Sequence, residues 1–367
     1  MKRIAITINT HTLERTWNNG LYQNIHALTD LLLSTKKYEI VLLVSSFTRA
    51  AEAYSLANPD IKVVSYSALK ANEFKLDAIL EVGYAIDGKD LRLFRRNNKQ
   101  LKIAKISYGN TYMISQEYLV RPSSEDSLSP ADAPRDALWS SPHYDFSRDW
   151  EALFRGAPIA RQAPYIWSSA AIELAMRQAK VTPENLHIDR RHVAVLAPNL
   201  NVLKTCTIPI AIAENLHRKK PGSLKSVNCY NGYKLIKNET AQILFTHMDM
   251  VRDKILSFEK RQSFINIFSK YSGTLLTHQH YNALNYTYLE ALYLGIPLVH
   301  NSPYFKDAGY YYEEFDIHTG AARLEEAVAS KDINYKEAAK EYVFQYSPEN
   351  PKNIQGYVDL IEELLSQ

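Results

Sequence analysis

One carboxylate in this 367-residue sequence stands where it can do chemistry. Glu290 lies in "YNALNYTYLEALYLGIPLVHNS" (281–302), whose spacing predicts a short helix burying Leu284, Tyr288 and Leu292 at i, i+4 and i+8. Glu290 falls off that stripe. It faces a gap between domains on the functional reading and plain solvent on the ordinary one. Gly295 can end the helix in the left-handed conformation, and Pro297 stops it from resuming before the strand "PLVHN". Just upstream, His278 and His280 in "HQH" share one side of a strand, which is half of a metal site. No third ligand is recognisable, so no metal is expected. The eight tyrosines between 281 and 312 read mainly as packing. No G-x-x-x-x-G-K-[ST], G-x-G-x-x-G or G-x-S-x-G occurs, so P-loop, nicotinamide and serine-hydrolase chemistry lose their usual support, and the absence of Asp-x-Asp weakens a metal-dependent alternative.

The elements that must position these residues alternate. Apolar runs at 3–9, 38–46, 61–66, 77–86 and 101–109 read as strands, with helices over 21–34 and 89–97 between them. That order implies a parallel sheet covered on both faces. "RPSSEDSLSPADAPRD" (121–136) reads as a long loop, followed by "ALWSS" and a helix near 147–155. The polar stretch 179–192 reads as a linker, after which a second alternating set begins at "VAVLAPNLNVLKTCTIPIAIAENL" (193–216). The tail 354–367 is an amphipathic helix. The expectation is an α/β protein of two Rossmann-like domains facing across a cleft. Residues 1–183 form the first, 190–352 the second, and 353–367 a helix packing back on the first. Open sheets of this kind bind ligands at the carboxyl ends of their strands.

The totals exclude several classes. Apolar residues make up 46% and charged residues 23%, an ordinary soluble balance, and a net charge of +3 does not argue for nucleic acid. The run "RLFRRNNKQLKIAK" (92–105) has six basic residues and no acidic one, and reads as the solvated face of a helix and strand. Cys206 and Cys229 are the two cysteines, which suggests a reducing compartment. The start "MKRIAITINT" reads as a strand, and no run approaches the ~20 apolar residues of a membrane span. A cytoplasmic protein is expected.

"YLEALYLGIPLVHNS" resembles the E-A-(x)3-G-x-P signature of nucleotide-sugar glycosyltransferases with the GT-B fold. The resemblance implies that Glu290 holds the ribose hydroxyls of the donor. Asn282 stands where retaining members carry an earlier glutamate, eight positions upstream, on the donor sugar. "APNLNVLK" is similar to the opening of the second GT-B domain: Lys204 matches a diphosphate-binding lysine, Asn199 replaces an arginine and Thr205 a glycine. A lysine near a helix start suits a leaving nucleoside diphosphate. "TWNNGLYQ" (16–23) matches the first loop, where Asn18 or Asn19 caps a helix and Gly20 admits close approach. His280, Asn301, Ser302 and Tyr310 fall where the family lines the donor pocket. Asp87 and His11 are positional candidates for a general base. "WNNG", "EVGYAID", "YGNTYM" and "YLEALYLGIPLVHNSPYFKDAGYYY" also resemble, over most of the chain, a bacterial family of unknown function grouped with these enzymes.

The resemblance implies a metal-independent hexosyltransferase-like enzyme with no cofactor beyond its nucleotide-diphosphate sugar, acting on a glycan or lipopolysaccharide hydroxyl. Two alternatives stand beside it. One is a phage-type DNA-base glycosyltransferase using the basic segments 92–105 and 218–225. The other is a nucleotide-sugar-binding protein that has lost catalysis.

Overall fold

The computed structural model describes residues 1–9, 20–49, 51, 58, 60–120, 133–186, 188–330 and 335–367. The described chain separates into two compact units: Met1–Ser168 with Tyr346–Gln367, and Ser169–Gln345.

The first unit is built on β1 (Lys2–Ile8), β2 (Tyr38–Val44), β3 (Lys62–Ser65), β4 (Ala78–Glu81), β5 (Lys102–Ser107), β6 (Ala137–Ser140) and β7 (Ile159–Gln162). They form one parallel sheet in the order β3-β2-β1-β4-β5-β6-β7. Its central strands are apolar at successive positions because both faces are covered. Ile4, Ile6 and Ile8 point into one core with helix α1 (Gly20–Ser34) and the C-terminal helix Pro351–Ser366. Ala5 points into the opposite core with helix α2 (Gly88–Asn97). The strand expected over 77–86 stops at Glu81. Beyond it, the amides of Val82 and Tyr84 donate to the Thr7 hydroxyl oxygen and that of Gly83 to the Thr7 carbonyl. Glu81 then forms a buried, two-pronged ion pair with Arg135, both contacts at 3.0 Å, which anchors the end of the segment expected as a loop. Residues 121–132 of that loop lie outside the described residues.

The second unit repeats the plan with β8 (His192–Val195), β9 (Ser226–Tyr230), β10 (Leu256–Glu259), β11 (Thr274–Leu276), β12 (Leu298–His300) and β13 (Tyr310–Tyr311). This sheet is also parallel, in the order β10-β9-β8-β11-β12-β13. Helices α3 (Ala170–Ala179), α4 (Thr207–Lys219), α5 (Tyr286–Leu294) and α6 (Ile317–Ala329) belong to it. The stretch 179–192, read as a linker, lies inside this unit. Thr274 donates its hydroxyl to the Arg190 carbonyl at 2.8 Å, and the Arg190 guanidinium donates to the Ser330 carbonyl, so polar composition here serves packing against β11 and the end of α6. Among the described residues no helix is long and apolar enough to cross a membrane.

Candidate functional site

In the second sheet the strand order reverses at β8, whose neighbours are β9 and β11. At such a point the connections leave toward opposite faces and open a crevice outside the carboxyl ends. The segments leaving there carry most of the residues singled out in the sequence. Asn199 and Lys204 follow β8, His280 and Asn282 follow β11, and Asn301 and Ser302 follow β12.

The first segment is a tight loop. Asn199 adopts a left-handed φ of 53°, its carboxamide donates to the Ala197 carbonyl at 2.8 Å, and its oxygen accepts the Cys206 amide at 2.9 Å. Its backbone amide donates to the Lys204 carbonyl at 3.0 Å. Asn199 therefore shapes the loop that presents Lys204. The Lys204 side chain is half-buried, and burial lowers its pKa from the usual lysine value. Among the described residues it makes no ion pair. Helix α4 begins immediately beyond, and its N-cap residue Cys206 supplies no side-chain cap to the first turn. A lone ammonium beside an uncapped helix start favours an anion.

The second and third segments are stitched to the first and to each other. The His280 amide donates to the Leu203 carbonyl at 3.0 Å, one residue from Lys204. Asn301 clamps Gln279 from both sides, accepting its amide at 2.9 Å and donating to its carbonyl at 3.0 Å. Ser302 donates its hydroxyl to the Ala283 carbonyl, and buried Asn282 donates to the Gln279 side chain at 2.8 Å. Asn301 and Ser302, expected as pocket lining, thus hold the loops in register.

The histidines differ in a way the sequence did not reveal. His300 is fully buried with both ring nitrogens engaged, Nε2 against the Ala308 carbonyl at 2.7 Å and Nδ1 accepting the Ser302 amide at 3.1 Å. His278 is also buried, but only Nδ1 is bonded, 3.1 Å from the Tyr312 hydroxyl, and Nε2 has no partner among the described residues. Burial lowers both rings to a pKa of about 4, His280 adding to the effect at His278. The Phe315 ring lies against His278 at 4.7 Å and His280 at 5.4 Å between centroids. In the sequence His278 carried weight only as half of a metal pair. Among the described residues no group of three or more His, Cys, Asp or Glu is arranged to hold a metal ion.

Glu290 is half-buried on α5, the helix into which the second segment runs. That helix is capped by Asn285, which accepts the Thr287 amide at 3.0 Å, and it ends at Gly295 with a left-handed φ of 71°, as the sequence predicts. Its buried face is Tyr286, Tyr288, Leu289, Ala291, Leu292 and Leu294, with Leu284 buried ahead of the first turn. Tyr310 lies in β13, paired with Val299 of β12.

Of the first-unit candidates, Gly20 opens α1, and Asp87 is an exposed N-cap of α2 whose carboxylate accepts the Lys89 amide at 2.7 Å. His11 and Asn19 lie outside the described residues, as does Asn18. The basic segments have acidic neighbours: Arg95 pairs with Asp136, Arg218 with Glu214, Lys220 with Glu325 and Lys225 with Asp189.

A family model described as a protein of unknown function, DUF2827, matches residues 4–361. No curated protein matches the chain. Among solved structures, Anabaena HepE in complex with UDP-glucose superposes with a TM-score of 0.53 at 10% identity, over 99% of this chain and 100% of that one. WaaG, a glycosyltransferase involved in lipopolysaccharide biosynthesis, gives 0.53 at 10% identity, over 98% and 99%. The N-terminal domain of Candida albicans trehalose-6-phosphate phosphatase gives 0.58 at 12%, over 100% and 97%. The likeness runs the full length of the chain, and the fold is GT-B.

Proposed function

The chain belongs to the DUF2827 family of proteins of unknown function, and on that premise we propose that it is a glycosyltransferase using a nucleotide-diphosphate sugar. The supporting observation is the half-buried Lys204 ammonium, without an ion pair among the described residues, beside the start of α4, whose N-cap supplies no side-chain cap, at the carboxyl edge of the switch-point strand β8. In transfer the acceptor hydroxyl oxygen bonds to the sugar's anomeric carbon, and its proton passes to a base, a phosphate oxygen or water. The bond between that carbon and the diphosphate oxygen breaks, and the diphosphate leaves with the electron pair. A fixed cation and helix amides stabilise the charge that grows there. In this reading Lys204 meets the diphosphate and Glu290 accepts hydrogen bonds from the ribose hydroxyls. Asn282 and His280 border the transferred sugar, with Tyr310 alongside, and Asn199, Asn301 and Ser302 hold the loops. Gly20 and Asn19 are further donor-binding residues in this reading. The acceptor is a glycan or lipopolysaccharide hydroxyl and the location cytoplasmic. The reaction takes neither metal nor cofactor.

A non-catalytic sugar-nucleotide binder is the second reading. It is favoured by the neutral Asn282 at a position where a carboxylate is expected, and by the capping role of Asp87. A DNA acceptor draws less support, because cations of both basic segments pair with carboxylates.

The test is a thermal-shift panel of UDP-glucose, UDP-N-acetylglucosamine, GDP-mannose, ADP-glucose and dTDP-rhamnose, followed by assay of released nucleoside diphosphate. At least one sugar nucleotide stabilises the protein and is turned over, and Glu290→Ala and Lys204→Ala each lose at least about tenfold while remaining folded. Stabilisation without release supports the binder. No stabilisation by any compound rejects the proposal.

A further inference from the structure

We propose that His278 reads the sugar nucleotide: its Nε2, bare among the described residues, accepts a hydrogen bond from a hydroxyl of the bound ligand once Phe315 moves off the ring. The inference rests on the proposed donor and adds a residue that the family resemblance does not supply.

The tautomer follows from proton counting. The Tyr312 hydroxyl has one hydrogen, and it goes to the Thr277 carbonyl at 2.8 Å. The His278 nitrogen 3.1 Å from the same oxygen must then be the donor, so Nδ1 carries the proton and Nε2 carries only a lone pair. That lone pair has no partner among the described residues, and the whole residue is only 5% exposed. Leaving a buried acceptor unsatisfied is costly, whereas an apolar ring of the same shape carries no such cost. His300 sharpens the contrast, because there the same side chain in the same unit is satisfied at both nitrogens.

His278 also sits where a ligand would arrive. It is two residues past the end of β11, beside the switch point, and two residues before His280, whose amide joins the Lys204 loop. Phe315 packs against both imidazoles while half of its own surface is in solvent. A neutral acceptor suits a sugar hydroxyl, which is uncharged and can donate, and it offers nothing to a phosphate oxygen.

Two measurements test this. In the first, the panel sugar nucleotide that most stabilises the wild-type protein, and its nucleoside diphosphate, are titrated calorimetrically into wild type, His278→Phe and Phe315→Ala. His278→Phe weakens the sugar nucleotide about 3- to 10-fold, the range of one neutral hydrogen bond, and Phe315→Ala leaves it unchanged or tighter. Loss confined to the sugar nucleotide assigns the hydroxyl to the transferred sugar. Equal loss for the diphosphate assigns it to the ribose. In the second, on the wild-type chain labelled with 15N-histidine, the unprotonated Nε2 signal of His278 moves upfield when the same sugar nucleotide saturates the protein, while the His300 signals stay. Binding that His278→Phe does not weaken, or a His278 signal that does not move, overturns the inference and leaves the functional proposal standing. A wild-type protein that binds none of the panel defeats the proposal and the inference together.

Discussion

At the scale of single residues, His278 and His300 show how one residue type serves two ends. Each is neutral at pH 7, each has a folded-state pKa of about 4 against an ordinary 6.5, and each is held down by burial. Between those two values the unfolded chain binds protons that the folded chain refuses, so unfolding free energy falls as pH is lowered through that window. A shift of this size corresponds to on the order of 3 kcal/mol per histidine once pH has passed below the folded value. Urea unfolding followed at pH 7 and pH 5 is expected to show a clear drop in midpoint at pH 5, with little change between pH 7 and 8. A midpoint that is flat from 7 to 5 would mean that these rings are solvated. Lys204 belongs to the same scale. Its half-buried ammonium has no carboxylate partner among the described residues, an arrangement that a bound anion relieves.

At the scale of elements, two glycines fix how the strands of the second unit receive their loops. Gly295 ends α5 at φ 71°, and Gly309 precedes β13 at φ 76°. A Cβ at Gly309 would stand 2.7 Å from the Leu298 carbonyl oxygen and 3.2 Å from the His300 ring, so a side chain there collides with backbone as well as paying the left-handed penalty of about 1–2 kcal/mol. Gly309→Ala is accordingly expected to lower the unfolding midpoint, and an unchanged midpoint would argue against the close approach. The first glycine was legible in the sequence because Gly-x-Pro after an amphipathic run has one common structural meaning. Apolar runs such as "IVLLV" announced strands buried on both faces, and their alternation with helices announced the parallel sheets. Other features were hidden because they depend on contacts between distant segments. The loop-building roles of Asn301 and Ser302 come from the carbonyls of Gln279 and Ala283, which the sequence does not bring near them, whereas Asn199 builds its loop from close neighbours. The lone pair of His278 comes from a tyrosine 34 residues away. The polar stretch 179–192 looked like a linker for the same reason, since its partners Thr274 and Ser330 lie far along the chain.

At the scale of the whole molecule, the chain is two doubly wound units, and the proposed donor site belongs to the second. In the proposed function two side chains of that unit, one cationic and one anionic, hold different parts of one ligand: Lys204 the diphosphate and Glu290 the ribose. Fold alone does not demand this, because GT-B structures at 10% identity share architecture and not side chains. The measurement that tests it most directly is calorimetric titration of the nucleoside diphosphate that best stabilises the protein, and of the corresponding nucleoside, into wild type, Lys204→Ala and Glu290→Ala. Lys204→Ala should weaken the diphosphate by about tenfold or more and leave the nucleoside unaffected, whereas Glu290→Ala should weaken both. Identical losses for the two ligands in Lys204→Ala, or undiminished binding in Glu290→Ala, would contradict the account.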